Sequence, residues 1–306
     1  MGIDIRDAFF DKIYDIAAID KEVIFITADA DAFSLKRYKK DFPERFINVG
    51  VAEQNMVTLA TGLALSGKKV FIYAILSFTT MRCYEQIKFN ICSMNLPITI
   101  IGVGSGLAFG FDGPTHHGVG DIGIMRMLPE MTIYNPSTPA LATASAQMSY
   151  KDNGPCYVRI DKGPWPEIYN DAVDFSAGFS MIKKGSNICI VATGIMTHKA
   201  LEVAQELSRY SINAAVIDLY RLKPINNLLF DTLNKFSRVI TLEENSIVGG
   251  IGSIISEIIT DHESNILLKR IALKDEQCLR YGEREWLHEY YKIDVKSVVK
   301  QISTWK

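Results

Sequence analysis

Short runs of apolar, β-branched residues alternate along the chain with longer stretches in which apolar positions recur every three or four residues. That alternation predicts a mostly parallel sheet covered by helices. In the first half, strands are predicted over Val23–Thr27, Lys69–Ala74, Ile98–Val103, Thr132–Tyr134 and Cys156–Ile160, and helices over Asp4–Ile19, Ala52–Ser66, Thr79–Met94 and Thr138–Tyr150. Asp4 has the chemistry of an N-cap, with Ile5, Phe9, Ile13 and Ile16 recurring along one helix face, and Gly67 has that of a C-cap residue. Periodicity fades between Asp161 and Lys184, where two prolines and scattered acids read as a linker. The alternation then restarts. Strands are predicted over Ile188–Ala192, Ala214–Leu219, Arg238–Glu243 and Leu267–Leu273, with helices over Met196–Tyr210, Asn226–Phe236 and Gly250–Asp261 and two more between Glu283 and Ile302. The fold class is therefore α/β: two domains, 1–165 and 185–306, each a mostly parallel sheet covered by helices, joined by a linker over 166–184.

A length of 306 residues suits two domains. Lys plus Arg number 33 against 35 for Asp plus Glu, a net charge of −2, so no basic excess exists to drive nucleic-acid binding through phosphates. The first fifteen residues carry charge every few positions, unlike a signal peptide, and the longest apolar run, Val70–Leu76, is far too short to span a bilayer. Five cysteines (83, 92, 156, 189, 278) never fall in C-x-x-C spacing and read as buried thiols in a reducing compartment. A cytoplasmic protein is expected.

Two stretches could carry chemistry. Glycines concentrate in GVGSGLAFGFDGPTHHGVG, after a predicted strand, where open α/β sheets bind ligands. Position 109 is Phe, so the stretch does not fit G-x-G-x-x-G, and no G-K-[ST] follows. A plain crossover loop is an equally good reading of the glycines alone. Within it, Asp112-Gly-Pro-Thr-His116-His117 places an aspartate near adjacent histidines. Sequential histidines cannot both chelate one metal, so a single histidine aimed into a pocket as acid, base or hydrogen-bond donor is the better functional reading. The other stretch, Asn48 to Met56, puts Glu53 and Gln54 in the first turn of an apolar helix. By itself that is an acid near a helix N-terminus, worth a few tenths to about 1 kcal/mol.

The order of these motifs changes the reading. With Phe78 in SFTTMRCYEQI and the later VITLEENSIVGGIGS, the chain resembles the C-terminal half of transketolases and 1-deoxyxylulose-5-phosphate synthases over nearly its whole length. It resembles in particular the short second subunit of split transketolases. The resemblance implies a pyrimidine-binding domain to about 165, then the family's C-terminal domain, and thiamine diphosphate as cofactor. It implies that Glu53 hydrogen-bonds the aminopyrimidine ring nitrogen, favouring the imino tautomer that deprotonates the thiazolium carbon. By the same resemblance Phe78 matches the aromatic residue that stacks on the pyrimidine, flanked by Ile75 and Met81 where transketolases carry aromatics, and Asp29 resembles a position near the cofactor. Asp112 and His116 match the Asp and His of the family's substrate loop, which would place His116 at the reacting hydroxyl and carbonyl, and Arg6 and Arg159 fall where the family holds a substrate phosphate. His117 stands where a Gln is common and receives no role.

The G-D-G motif and downstream Asn that hold the diphosphate and its metal are absent from the sequence. A second polypeptide carrying them, with the Mg2+ ligands, is therefore expected, in two copies of each chain, with the active site between the two. The implied activity is transfer of a two-carbon ketol unit between sugars. Alternatives are a decarboxylating carboligase like deoxyxylulose synthase, a 2-oxoacid dehydrogenase beta subunit, and a structural or regulatory paralogue. The Asp-Gly-Pro-Thr-His loop argues against the second, and intact Glu53, Phe78, Asp112 and His116 against the third. Gly104 takes the place of a histidine beside the substrate phosphate, Phe111 that of an acid, and Phe33 that of a serine unless this is displaced to Ser34. A roomier, more apolar distal pocket and a modified sugar are expected.

Overall fold

The structure, a computed structural model, describes residues 2–169 and 173–305. The chain divides into two compact units, Met1–Ser105 with Ile124–Glu167, and Gly106–Gly123 with Ile168–Lys306. The Gly-rich segment thus belongs to the second unit from Gly106 onward.

In the first unit, β1 (Val23–Thr27), β2 (Phe46–Asn48), β3 (Lys69–Ile75), β4 (Ile98–Val103), β5 (Thr132–Tyr134) and β6 (Cys156–Ile160) run in the order β5-β6-β4-β3-β1-β2. Every one of these pairings is parallel. Strands β1, β4 and β6 are buried at each position, which is why they read as continuous apolar runs without polar alternation. The helices of this half of the chain are α1 (Ile5–Ile19), α2 (Leu35–Asp41), α3 (Glu53–Leu65), the short turn α4 (Tyr84–Gln86), α5 (Asp121–Arg126) and α6 (Pro139–Lys151). Asp4 caps α1 as its chemistry predicts, accepting from the backbone N–H of Arg6 at 2.9 Å. Helix α3 ends at Gly67, whose φ of +87° lets Lys68 N–H reach back to the Leu63 carbonyl at 3.1 Å.

The helix predicted over Thr79–Met94 is wound differently. Phe78–Arg82 and Ile87–Cys92 are π-helical, on either side of α4. The hydroxyls of Thr79 and Thr80 and the Cys83 thiol donate to carbonyls four residues back, at 2.7, 2.8 and 3.1 Å. Side chains that take up these carbonyls compete with the α-helical ladder and favour a wider turn.

The second unit contains β7 (Phe179–Lys183), β8 (Ile188–Ala192), β9 (Ala214–Leu219), the short β10 (Arg221–Lys223), β11 (Arg238–Ser246) and β12 (Leu267–Leu273). Its five-stranded sheet has the order β12-β11-β8-β9-β7, parallel except for β7. Its helices are α7 (Met196–Leu207), α8 (Leu228–Leu233), α9 (Ile251–Asp261), α10 (Arg284–Tyr291) and α11 (Val295–Ser303).

The segment read as linker, 166–184, differs from that expectation. It carries a 3-10 turn at Phe175–Ala177 and the edge strand β7, and its residues 170–172 lie outside the described residues. An edge strand with no fully buried position gives no apolar run for a periodicity argument to find. All five cysteines are buried, none of them in a disulfide.

Candidate functional site

Glu53 is the first residue of α3, which starts without a side-chain cap, so its carboxylate lies at the positive end of the helix dipole. It is nonetheless only 2% exposed. Its partner is Arg82, whose Nη1 donates to Oε2 at 2.7 Å. The same guanidinium lies 4.0 Å from the centroid of the Phe78 ring. One cation therefore bridges the carboxylate and the aromatic face that the sequence reading pairs. The π-helical turn makes this possible by carrying Phe78 and Arg82 together toward α3. Below them the Cys83 thiol is pushed up to about 12 by burial and then by the Glu53 charge, so it is inert.

Ile75, at the end of β3, is half-buried, and Met81 is exposed. Asp29 is exposed just beyond β1, with a left-handed φ of +52°. Asn48 stabilises that turn, its Oδ1 accepting from Asp29 N–H at 3.1 Å and from Gly50 N–H at 3.0 Å. It thereby ties the Ala-Asp turn to the segment leading into Glu53.

Arg6 sits among carboxylates. Its guanidinium is 4.0 Å from Asp4 and 3.9 Å from Asp7, and Nη1 donates to the Asp31 carbonyl at 3.5 Å. Burial works against its charge, but Tyr73, Asp4 and Asp7 outweigh that and raise its pKa. Arg159 is buried on β6, opposite Gly102 of β4.

In the second unit, the loop carrying Asp112 and His116 is closed on itself. Gly106 and Gly118 exchange N–H donations at 2.9 and 2.8 Å. Asp112 is exposed at the loop tip and His116 half-buried. The His116 ring lies edge-on to Phe109, 6.1 Å between centroids, and its Nδ1 is 2.9 Å from the Thr115 hydroxyl. A hydroxyl donating to Nδ1 leaves Nε2–H as a donor, while the opposite arrangement makes Nε2 an acceptor. His117 is buried, and burial lowers its pKa, keeping the ring neutral.

Sequence reasoning did not find Arg82 or Asn48. No local spacing links residue 82 to residue 53; the signal available was a cation four residues beyond an aromatic in a helical stretch. Among the described residues no cluster of three or more His, Cys, Asp or Glu side chains could hold a metal ion, and no helix is long and apolar enough to cross a membrane.

A buried carboxylate beside an aromatic face is able to take a flat heteroaromatic ring with a basic nitrogen, and parallel α/β sheets are a fold on which enzymes hold ring cofactors. Comparison with known proteins narrows the class. Residues 1–166 match the family described as Transketolase, pyrimidine binding domain, and residues 179–298 match Transketolase, C-terminal domain. The chain is 33% identical over 289 residues to an apulose-4-phosphate transketolase subunit of Actinobacillus succinogenes, covering 93% of each chain. It is 34% identical to 1-deoxy-D-xylulose-5-phosphate synthase of Clostridium acetobutylicum, over 94% of this chain and 46% of that protein. A solved structure of a split-gene transketolase, described as an inactive beta4 tetramer, superposes with a TM-score of 0.86 at 32% identity, covering 99% of this chain and 97% of that one. This chain belongs to the transketolase family and corresponds to the pyrimidine-binding and C-terminal parts.

Proposed function

We propose that this chain is the second subunit of a split transketolase-type transferase, moving a two-carbon ketol unit between sugars and supplying the aminopyrimidine side of the active site. The observation that carries the reading is the Glu53–Arg82–Phe78 constellation. A carboxylate that is 2% exposed, beside an aromatic face, fits the ring nitrogen and the plane of thiamine diphosphate. When bound, that cofactor supplies an electron sink for breaking and forming a carbon–carbon bond next to a carbonyl.

In this reading Glu53 would hydrogen-bond the pyrimidine nitrogen of the bound cofactor, and the Arg82 side chain, 41% exposed, would have solvent to turn to. Phe78 stacks on the ring, Ile75 and Met81 line its edge, and Asp29 lies near it. His116 donates a proton to, or accepts one from, a substrate hydroxyl through Nε2, in the tautomer set by Thr115. Asp112 hydrogen-bonds a sugar hydroxyl, and Arg6 and Arg159 attract an anionic substituent. A partner chain with the G-D-G motif holds the diphosphate and Mg2+, two copies of each chain assemble, and the enzyme works in the cytoplasm. The relative named for apulose 4-phosphate supports an unusual sugar in preference to the common pentose phosphates.

The test pairs this chain with a chain carrying the diphosphate domain. Cofactor-dependent ketol transfer is expected from the pair and none from either chain alone. Calorimetric titration of the single chain with cofactor and magnesium is expected to give no micromolar binding. Tight binding by the single chain, or an inert pair with every candidate partner, overturns the reading.

A further inference from the structure

The motif VITLEENSIVGGIGS has no part in the chemistry above, yet it holds a fully compensated buried charge. Glu244, at the end of β11, is 4% exposed. Arg284, at the start of α10, donates through Nε at 2.9 and 3.2 Å, and through Nη2 as well, so the pair is a bidentate fork. His288, one turn along α10, is fully buried, with Nε2 2.5 Å from Glu244 Oε1. Its Nδ1 faces the Lys199 ammonium at 2.7 Å, which makes Nδ1 the acceptor and Nε2–H the donor to Glu244. Lys199 in turn meets Glu285 at 2.8 Å. Burial pushes the Glu244 carboxyl up, but Arg284 and His288 outweigh it and hold it well below the usual carboxylate range.

The Asp112–His116 loop rests on the two elements that this network joins. From the β11 side, Ser246 N–H donates to the Val119 carbonyl at 2.7 Å, and the Asn245 amide, oriented to satisfy both of its groups, donates there at 2.8 Å. Gly106, at φ +60°, lies so close that a Cβ there would collide with the Glu244 carboxylate. From the segment leading into α10, Gly282 N–H donates to the Gly110 carbonyl at 3.1 Å. A Cβ on Gly113 would collide with the Tyr281 ring. These anchors lie on both sides of Asp112 and His116.

We infer that Glu244, locked to Arg284 and His288, is a positioning residue for the reaction: it fixes β11 against α10 and so holds the His116 loop in one conformation. The C-terminal part of the chain is thereby assigned a task, the seating of the substrate-facing histidine. The inference rests on the reading of His116 as substrate-facing. A loop fixed at residues 106, 110, 113 and 118–119 has few ways to move, and a loss of precision there costs transition-state contacts.

The test has one arm in the single chain and one in the reconstituted pair. In the single chain, Glu244→Gln is expected to speed amide hydrogen exchange over residues 106–119 at least tenfold, while residues 53–65 keep their protection. Val203→Ala, a cavity at a buried position of α7, serves as a comparator of similar stability loss and is expected to leave the loop unchanged. In the pair, Glu244→Gln is expected to lower kcat/KM for sugars at least tenfold, while Glu53-dependent hydrogen–deuterium exchange at the thiazolium carbon stays within twofold. Arg284→Lys, which keeps the charge and loses the fork, is expected to fall between. If Glu244→Gln does not fold, Gly106→Ala presses on the same carboxylate from the loop side and is expected to give the same split. Loop exchange no faster than in Val203→Ala, or a parallel loss of thiazolium exchange, overturns the inference. An inert wild-type pair would instead overturn the proposed function, and the amide-exchange arm would still decide the positioning role.

Discussion

Replacing Glu53 by Gln separates the energetic role of this carboxylate from its chemical one. The side chain keeps its size, and its amide oxygen can still accept from Arg82 Nη1, now 2.7 Å from Oε2. The ionic part of a contact worth ~1.5–3 kcal/mol is lost. Arg82 is not stranded, because its side chain is 41% exposed and can turn to water. The penalty of ~3–5 kcal/mol for an uncompensated buried charge therefore does not apply. A stability cost of ~1 kcal/mol follows, which lowers the midpoint of thermal unfolding by ~2–4 °C for a unit of roughly 150–250 residues unfolding by itself. The chemical loss is larger. Positioned proton transfer contributes ~10²–10⁴-fold, or ~3–5 kcal/mol of barrier, and an amide cannot share a proton with the ring nitrogen. The assay is steady-state ketol transfer by the reconstituted pair, with thiazolium exchange followed by NMR and unfolding by calorimetry. Turnover and exchange are expected to fall together by at least ~10² while the unfolding midpoint moves by a few degrees. Turnover within tenfold of wild type, with the protein folded, would refute the reasoning.

The converse substitution, Arg82→Met, leaves the buried Glu53 charge without its cation and is expected to cost ~3 kcal/mol in urea unfolding, against ~1 kcal/mol for Glu53→Gln; equal costs for the two would show that the pair is not the controlling contact. His117, facing His116, Glu244 and the Gly110 and Cys278 backbone, has its pKa lowered chiefly by burial. The unfolded chain then takes up the proton first, so stability is present above about pH 6.5 and is lost as the pH falls below it. His117→Asn is expected to flatten the dependence of the unfolding midpoint between pH 7.5 and 5.5, and an unchanged slope would exclude this residue. For the pair, kcat/KM with xylulose 5-phosphate and ribose 5-phosphate is expected to lie at least tenfold below that for the best modified sugar in a panel; pentose phosphates ranking first would overturn the substrate reading.

The strands of both sheets were legible because a parallel strand buried on two faces is an unbroken apolar run. Cys156–Ile160, Ile188–Ala192 and Ala214–Leu219 stand where that pattern puts them. Elements without such a run were not legible. Phe46–Asn48 is three residues with no buried position, and Phe179–Lys183 is a half-exposed edge. Helix α2, LKRYKKD, buries only Leu35 and Tyr38, too few to show a period. The winding of 78–92 was hidden for another reason. Apolar spacing reports which face is buried, but it does not report which carbonyls the threonine hydroxyls will take.

The site divides along a similar line. Asp112 and His116 could be singled out because their Gly-rich loop carries residue types suited to chemistry, whereas Glu53 and Phe78 gained meaning only from the resemblance of their segments to transketolases. Arg82 could not, since its partner is twenty-nine positions away and only the packing of the π-helical turn against α3 joins them. Glu244 was harder still, as a carboxylate in an apolar strand has no meaning until Arg284 and His288, forty and forty-four positions on, supply the compensating charge and donor. Residues that touch a ligand must be chemically distinctive, whereas residues that orient them need only match one another across the fold. The two adjacent histidines illustrate the difference. His116 is half-buried with a hydroxyl at its Nδ1. His117 is 3% exposed, and neither ring nitrogen makes a well-formed hydrogen bond, an arrangement that suits a neutral side chain packed to keep the loop closed. Alternation of buried and presented side chains in a loop closed by the Gly106–Gly118 pair sends His117 inward and leaves His116 half-exposed.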